Sequence, residues 1–299
     1  MSINLKAMPL PTFIVVGAAK AGTTALYWYL SEHPAVFMSP VKETNFFAYG
    51  CDAAGNLLYG DPEVHHFPIR TMADYERLFA QSNGAAAVGE ASPIYLECPQ
   101  AADRIGTAIP GVRIIASLRQ PVERAYSDYL MHLRHRGEEF DPARDLSASA
   151  PWAAPDSRWM QVSRYHGQLE RYYQAFPRSQ IRVVLFDDLR QNALQLVQDV
   201  FRFVGVDSQF EPDFDTPHAQ GGLPASRVLE GLLTNRAVGS VIRPLLPSGV
   251  ANWVRRMRVR NLKKAPPLPA DLKRELTVPL RDDIVGTAAL IGRNLDHWL

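Results

Sequence analysis

Lys20, Thr23 and Thr24 stand in a stretch, Phe13 to Leu26, that opens on four apolar residues, passes through small ones and ends in helix formers. Gly17 and Gly22 flank the lysine. Amides at a helix start have no partner within the helix, the helix dipole adds partial positive charge, and glycines let an anion come close. With the full charge of Lys20, this is chemistry for holding a phosphorylated cofactor. A Gly/Ala-rich turn needed only for close packing would have the same composition.

A second cation, Arg119, is followed eight residues later by Ser127. An arginine leaving a strand and a hydroxyl on the next helix can converge on one phosphate, the guanidinium as a fork and the hydroxyl as a donor. Between the two features lies Pro40 to Phe47, where Glu43 precedes the aromatic pair Phe46 and Phe47. A carboxylate there suits a general base if partial burial raises its pKa. Taken alone, Lys42 and Glu43 would be an exposed charge pair on a turn. No metal-ligand cluster is evident, since the adjacent His65 and His66 would point apart. Metal-free chemistry is the expectation.

The order of the residues narrows the cofactor. The common nucleotide loop G-x-x-x-x-G-K-S/T puts its lysine directly after the second glycine, where this chain has Thr23, and Lys20 comes two residues before Gly22. In that order Lys20-x-Gly22-Thr23-Thr24-Ala25-Leu26 resembles the 5′-phosphosulfate loop of sulfotransferases that use 3′-phosphoadenosine 5′-phosphosulfate (PAPS). The run from Ile114 through Arg119 and Pro121 to Ser127 and Tyr129 resembles the same family's 3′-phosphate site. Glu43 with Phe46 and Phe47 is similar to the E-x-x-F-F element of the carbohydrate-type (heparan-sulfate-type) enzymes, and Gly89 to Tyr95 adds a G-E-x-S-P-x-Y element.

The resemblance implies a PAPS-dependent sulfotransferase that releases adenosine 3′,5′-bisphosphate. Lys20, Ala21, Gly22, Thr23, Thr24 and Ala25 would hold its 5′ end, Arg119 and Ser127 its 3′-phosphate, and Glu43 would be the catalytic base. It also implies that Tyr165 borders the adenosine, with a plain core role as the alternative, and that Gly221 and Gly222 fold over the 3′-phosphate side. His132 faces the acceptor or assists proton transfer; a structural role is the other reading. Heparan-sulfate relatives carry a His two residues after the base and a Lys in the later turn, where this chain has Asn45 and Ala91. The acceptor is therefore a hydroxyl or amine of a small molecule, lipid or carbohydrate rather than a highly sulfated polymer. A P-loop kinase or NTPase, with Val183 to Asp188 as its acidic strand, and a non-catalytic nucleotide-binding protein of the same fold are the alternatives.

The elements that must carry these residues alternate. A strand from Phe13 leads to a helix from Thr23, a strand over Val36 to Met38 follows, and Val112 to Leu118 is a buried strand before a helix from Pro121 to about Arg136. Tyr165, Leu169, Tyr172 and Phe176 form a helical stripe, followed by a strand from Ile181 and an amphipathic helix carrying Val197, Phe201 and Val204. This predicts an α/β, P-loop-like three-layer fold, a mostly parallel sheet flanked by helices, in one domain over 1–299. Segments 49–70 and 138–160 read as a rim loop and a mobile flap, with Tyr49, Phe67, Trp152 and Trp159 as an apolar wall.

Bulk composition sets the remaining bounds. With 299 residues, 46% hydrophobic and 21% charged, the chain has ample material for a core, and its net charge of +1 gives no field for nucleic acid. Residues 243–264 hold seven basic side chains and no acidic one; a solvated face or a peripheral membrane contact would both use them. The apolar run from Phe13 is too short for a bilayer span and lacks a basic leader beyond Lys6, so a cytoplasmic enzyme is expected. Cys51 and Cys98 read as reduced thiols, with a single bridge as the alternative.

Overall fold

The structure, a computed structural model, describes residues 10–49, 69–82, 84–215, 223–224, 262–263 and 265–299. The chain divides into two compact units.

The first unit (1–120, 164–218 and 281–298) is built on a five-stranded parallel sheet of order β2-β3-β1-β4-β5. Its strands are β1 (Phe13–Gly17), β2 (Val36–Met38), β3 (Ala87–Ala91), β4 (Arg113–Leu118) and β5 (Ile181–Leu185). Every residue of β1 is buried, as expected for a central parallel strand covered on both faces. Alternation sends Phe13 and Val15 to one face, where they pack with Leu26 and Leu30 of α1 (Thr23–Glu32) and with Val197, Val200 and Phe201 of a later helix, Ala193–Val204. Each large side chain buried there contributes about 1.5–3 kcal/mol.

The intervening helices of this unit are α2 (Phe46–Tyr49), α3 (Met72–Arg77), α4 (Ile94–Glu97) and α5 (Ala101–Ala108). The second unit (121–163, 219–280 and Leu299) is organised around α6 (Pro121–Arg136), with α7 (Pro142–Asp145) and α8 (Arg158–Val162). The chain then re-enters the first unit at α9 (His166–Ala175), β5, α10 (Phe186–Gln191) and α11 (Ala193–Val204). A two-residue antiparallel pair, Leu223–Pro224 with Leu262–Lys263, and α12 (Ala270–Thr277) belong to the second unit; α13 (Arg281–Ile291) belongs to the first. On the sheet's other face α9 is tied to α4 by the Tyr172 hydroxyl, which donates to the Tyr95 carbonyl at 2.9 Å.

In the second unit, Pro121 opens α6 and Gly137, at φ +68°, follows its end. The segment 138–160, expected as a flap, instead anchors this unit's core through a few buried side chains, while much of the rest of it is exposed. Trp152 is fully buried between Tyr126 and Tyr129, and its indole N–H donates to the Asp145 carbonyl at 2.9 Å. Fully buried Arg124 donates to Ser163 Oγ and the Trp159 carbonyl, both at 2.7 Å. The prolines and charges of this segment suggest a loop, but its Ala150, Trp152, Ala153 and Met160 supply an apolar face that needs cover. Trp152 is thus core rather than acceptor wall, and Tyr49 is likewise buried.

Among the described residues no helix is long and apolar enough to cross a membrane, and no group of three or more His, Cys, Asp or Glu is gathered that could hold a metal ion. Cys98 is a buried free thiol. Cys51, Phe67, Gly221, Gly222 and nearly all of the basic segment 243–264 lie outside the described residues.

Candidate active site

The loop after β1 is shaped by what surrounds it. A side chain on Gly17 would put its Cβ 2.6 Å from Leu96 Cβ, so only glycine lets the strand end there. Ala18 N–H donates to the Ser117 carbonyl at 2.6 Å, and Ser117 Oγ donates to the Ala21 carbonyl at 2.6 Å, which clamps both ends of the loop to β4. Lys20 lies at φ +70°, a left-handed backbone that costs a non-glycine residue about 1–2 kcal/mol. Gly22 caps α1 at φ +88° and offers no side-chain hydrogen bond, so the first-turn amides of Thr23, Thr24 and Ala25 keep their donors for a ligand. This uncapped, left-handed entry fits a phosphate group.

Arg119 leaves the carboxyl end of β4 beside that loop. Its guanidinium donates to the Lys20 carbonyl at 3.4 Å and lies over the Phe186 ring, 4.9 Å from the centroid. The two cations expected at opposite ends of one nucleotide therefore share one edge of the sheet. Fully buried Tyr165 donates its hydroxyl to the Arg119 carbonyl at 2.9 Å, and the Tyr165 and His166 amides donate to the Asp283 carboxylate at 2.8 and 3.2 Å. Burial pushes the Asp283 carboxyl up, partly offset by those two amides. Gln120 Nε2 donates to the Trp298 carbonyl at 3.1 Å, and the Trp298 indole to Asp187 at 2.7 Å. The Asp187 and Asp188 that a kinase reading needs thus hold the C-terminal segment, Asp188 by pairing with Arg293.

Glu43 follows β2, and its amide donates to the Ala91 carbonyl at the end of β3 at 2.9 Å. Its side chain is half-exposed and ion-paired with Lys42. Glu43 and Asn45 have φ of +63° and +54°; with Lys20 they are the non-glycine residues at positive φ among the described residues. Such strain gathers where a surrounding structure fixes the backbone for a purpose. Here the fixing residue is Glu90, fully buried in β3. Its carboxylate accepts from Thr44 Oγ1 at 2.6 Å, Tyr75 hydroxyl at 3.0 Å and Ser92 Oγ at 3.2 Å. Burial raises the Glu90 pKa, and these hydroxyls counter part of the rise.

Glu43 (anchored on β3), Lys20 (after β1) and Arg119 (after β4) stand along three adjacent strands, so their backbone anchors span about two strand spacings, roughly 10 Å. Ser127 and His132 lie on α6 in the second unit, both partly exposed, with the His132 ring edge-on to Trp159 at 5.5 Å between centroids. Glu90 and Asp283 carry no role in the sequence reading. A charged residue within the apolar run Ala87 to Ala91 is a signal for the first, because a buried carboxylate needs dedicated donors; no local signal marks the second, whose partner is 118 residues away.

A parallel sheet with a lysine-bearing loop after its central strand and a second cation at the end of the next strand is an arrangement suited to an anionic ligand. Residues 11–212 match the sulfotransferase family, and the chain belongs to that family. It is 29% identical to a sulfotransferase from Alicyclobacillus acidocaldarius of known crystal structure, with a TM-score of 0.67 over 97% of this chain and 99% of that one. It is 28% identical over 97% of its length to the bifunctional heparan sulfate N-deacetylase/N-sulfotransferase 4 of Mus musculus. Over 66% of its length it is 30% identical to the corresponding enzyme 2 of Homo sapiens. The chain covers 31% and 22% of those two relatives, at most about a third of their length.

Proposed function

We propose that this chain is a PAPS-dependent sulfotransferase acting on a hydroxyl or amine of a carbohydrate, lipid or small-molecule acceptor, with residues 1–299 working as one catalytic module. The observation that carries the reading is the Arg119 guanidinium seated on the Lys20 carbonyl at the mouth of an uncapped helix. When bound, PAPS supplies the sulfuryl group. The Lys20 ammonium and the amides of Gly22, Thr23, Thr24 and Ala25 bind the phosphosulfate end, where fixed donors stabilise charge that builds during transfer. Arg119 binds the 3′-phosphate as a bidentate fork. Glu43 takes the acceptor's proton on a carboxylate oxygen, and Lys42 holds that carboxylate in place until the acceptor arrives.

Tyr165, with no accessible surface, serves by fixing Arg119. The roles of Ser127 on the 3′-phosphate, of His132 on the acceptor side and of Gly221 and Gly222 over the cofactor rest on sequence order alone. Mouse and human relatives are named for N-sulfation of heparan sulfate. Asn45 and Ala91 replace the cations that the heparan resemblance implies, which favours a less anionic acceptor here.

The test is a panel of carbohydrate, lipid and small-molecule acceptors incubated with isotopically labelled PAPS in EDTA and followed by mass spectrometry. The reading expects one acceptor class to gain the label as adenosine 3′,5′-bisphosphate appears. Hydrolysis of ATP with Mg²⁺, and no labelled product, would replace it with the kinase or NTPase reading.

A further inference from the structure

Beneath Glu43 the hydrogen bonds run in one direction. The Phe47 amide donates to the Tyr95 hydroxyl oxygen at 3.3 Å, and Tyr95 and Thr44 hydroxyls lie 3.0 Å apart. Thr44 donates its only proton to Glu90 at 2.6 Å, so in its contact with Tyr95 it is the acceptor. Both Glu90 oxygens accept, one from Thr44 and Ser92 and the other from Tyr75, which makes this carboxyl the point on which the chain converges. A second arm runs through Ser92, whose oxygen accepts the Asn45 amide at 3.1 Å while its proton goes to Glu90 at 3.2 Å. Thr44, 1% exposed, is the residue between the two left-handed positions Glu43 and Asn45.

We propose that Glu90 is a positioning residue: through the hydroxyls of Thr44 and Ser92, its buried carboxylate holds Glu43 and Asn45 in left-handed backbone and so presents the Glu43 carboxylate to the acceptor. The inference rests on the reading of Glu43 as the base. Its physical basis is that two adjacent departures from the ordinary backbone relax unless something over-determines them. Two buried hydroxyls on one carboxylate do so here, because leaving a buried acceptor or donor unmatched is more costly than the strain. Tyr75, also fully buried, closes the carboxylate's far oxygen at 3.0 Å and keeps it from turning away.

The test compares Thr44→Val, which keeps shape and removes the hydroxyl, with Thr44→Ser, which restores it; Ser92→Ala cuts the second arm and stands in if Thr44→Val does not fold. Three quantities are read: kcat for sulfate transfer, Kd for adenosine 3′,5′-bisphosphate, and hydrogen exchange of the Glu43 and Asn45 amides without cofactor. Thr44→Val should lower kcat by about tenfold or more, leave Kd within about twofold, and speed exchange at both amides by about tenfold. Thr44→Ser should return all three to within about threefold of the parent, and Ser92→Ala should reproduce the split between kcat and Kd. Wild-type kcat and exchange in Thr44→Val, or a Thr44→Ser protein as impaired as Thr44→Val, would overturn the proposal. Failure of the unmutated protein to transfer sulfate would instead remove the reading of Glu43, and the exchange measurement, which needs no turnover, separates the two results.

Discussion

Adding one methyl group at Gly22 strikes both halves of the proposed anion site at once. The residue sits at φ +88°, where an alanine is strained by about 1–2 kcal/mol. Its Cβ would come within 2.8 Å of Leu189 Cδ2 and 2.9 Å of Phe186 Cδ2. Leucine ends can turn aside, but the Phe186 ring lies under the Arg119 guanidinium and cannot shift without moving it. Overpacking of this kind adds about 1–2 kcal/mol, so Gly22→Ala should lose about 2–4 kcal/mol in urea unfolding. Part of that strain is relieved by displacing the loop, and calorimetric titration with adenosine 3′,5′-bisphosphate should show Kd weakened by about tenfold or more. Gly84→Ala is the control: its φ is +79° but nothing lies within 4 Å of its Cβ, so it should lose only about 1 kcal/mol and bind normally. A Gly22→Ala protein with wild-type affinity would refute the idea that this turn and the Phe186–Arg119 stack form one anion site.

Three further outcomes follow from the same geometry. Glu43→Gln should cut turnover by about 10²-fold in a steady-state assay with little change in bisphosphate affinity; unchanged turnover would move the base elsewhere, with His132 the next candidate. Tyr165→Phe removes the hydroxyl from the Arg119 carbonyl, and bisphosphate affinity in calorimetry should fall about five- to tenfold, the scale of one buried hydrogen bond, with kcat little altered. Because burial raises the Glu90 pKa, its contribution to stability is full below the ordinary glutamate range and declines as pH rises through the higher folded-state value. In urea titrations from pH 4 to 7 the stability of the native protein relative to Glu90→Gln should therefore fall with rising pH; a constant or growing difference would contradict the assignment.

The parts of this protein legible in its sequence are those whose physics is local. Lys20 between two glycines, ahead of a pair of threonines, marks a strand-to-helix loop with an uncapped helix start, because such a start needs only neighbouring residues. Pro121 and Gly137 mark the ends of α6 for the same reason. What local pattern does not carry is pairing across the chain: Arg119 reaches the Lys20 carbonyl over 99 residues, and Asp283 reaches Tyr165 over 118. Glu90 is visible within a motif, yet its part in holding Thr44 emerges only once β3 is buried between β2 and β1. The segment 138–160 misleads because proline and charge describe its surface, whereas Trp152 and Met160 decide where it packs.

The proposed function requires Arg119 and Lys20 to grip separate phosphates of one nucleotide. Its most direct test is calorimetry in EDTA of adenosine 3′,5′-bisphosphate against adenosine 5′-monophosphate, for the native protein and for Arg119→Ala. A charge-assisted fork on the 3′-phosphate predicts a native preference for the bisphosphate of about tenfold to a hundredfold, falling to near unity in the variant. Equal binding of the two nucleotides by the native protein, or a preference that survives in Arg119→Ala, would contradict it.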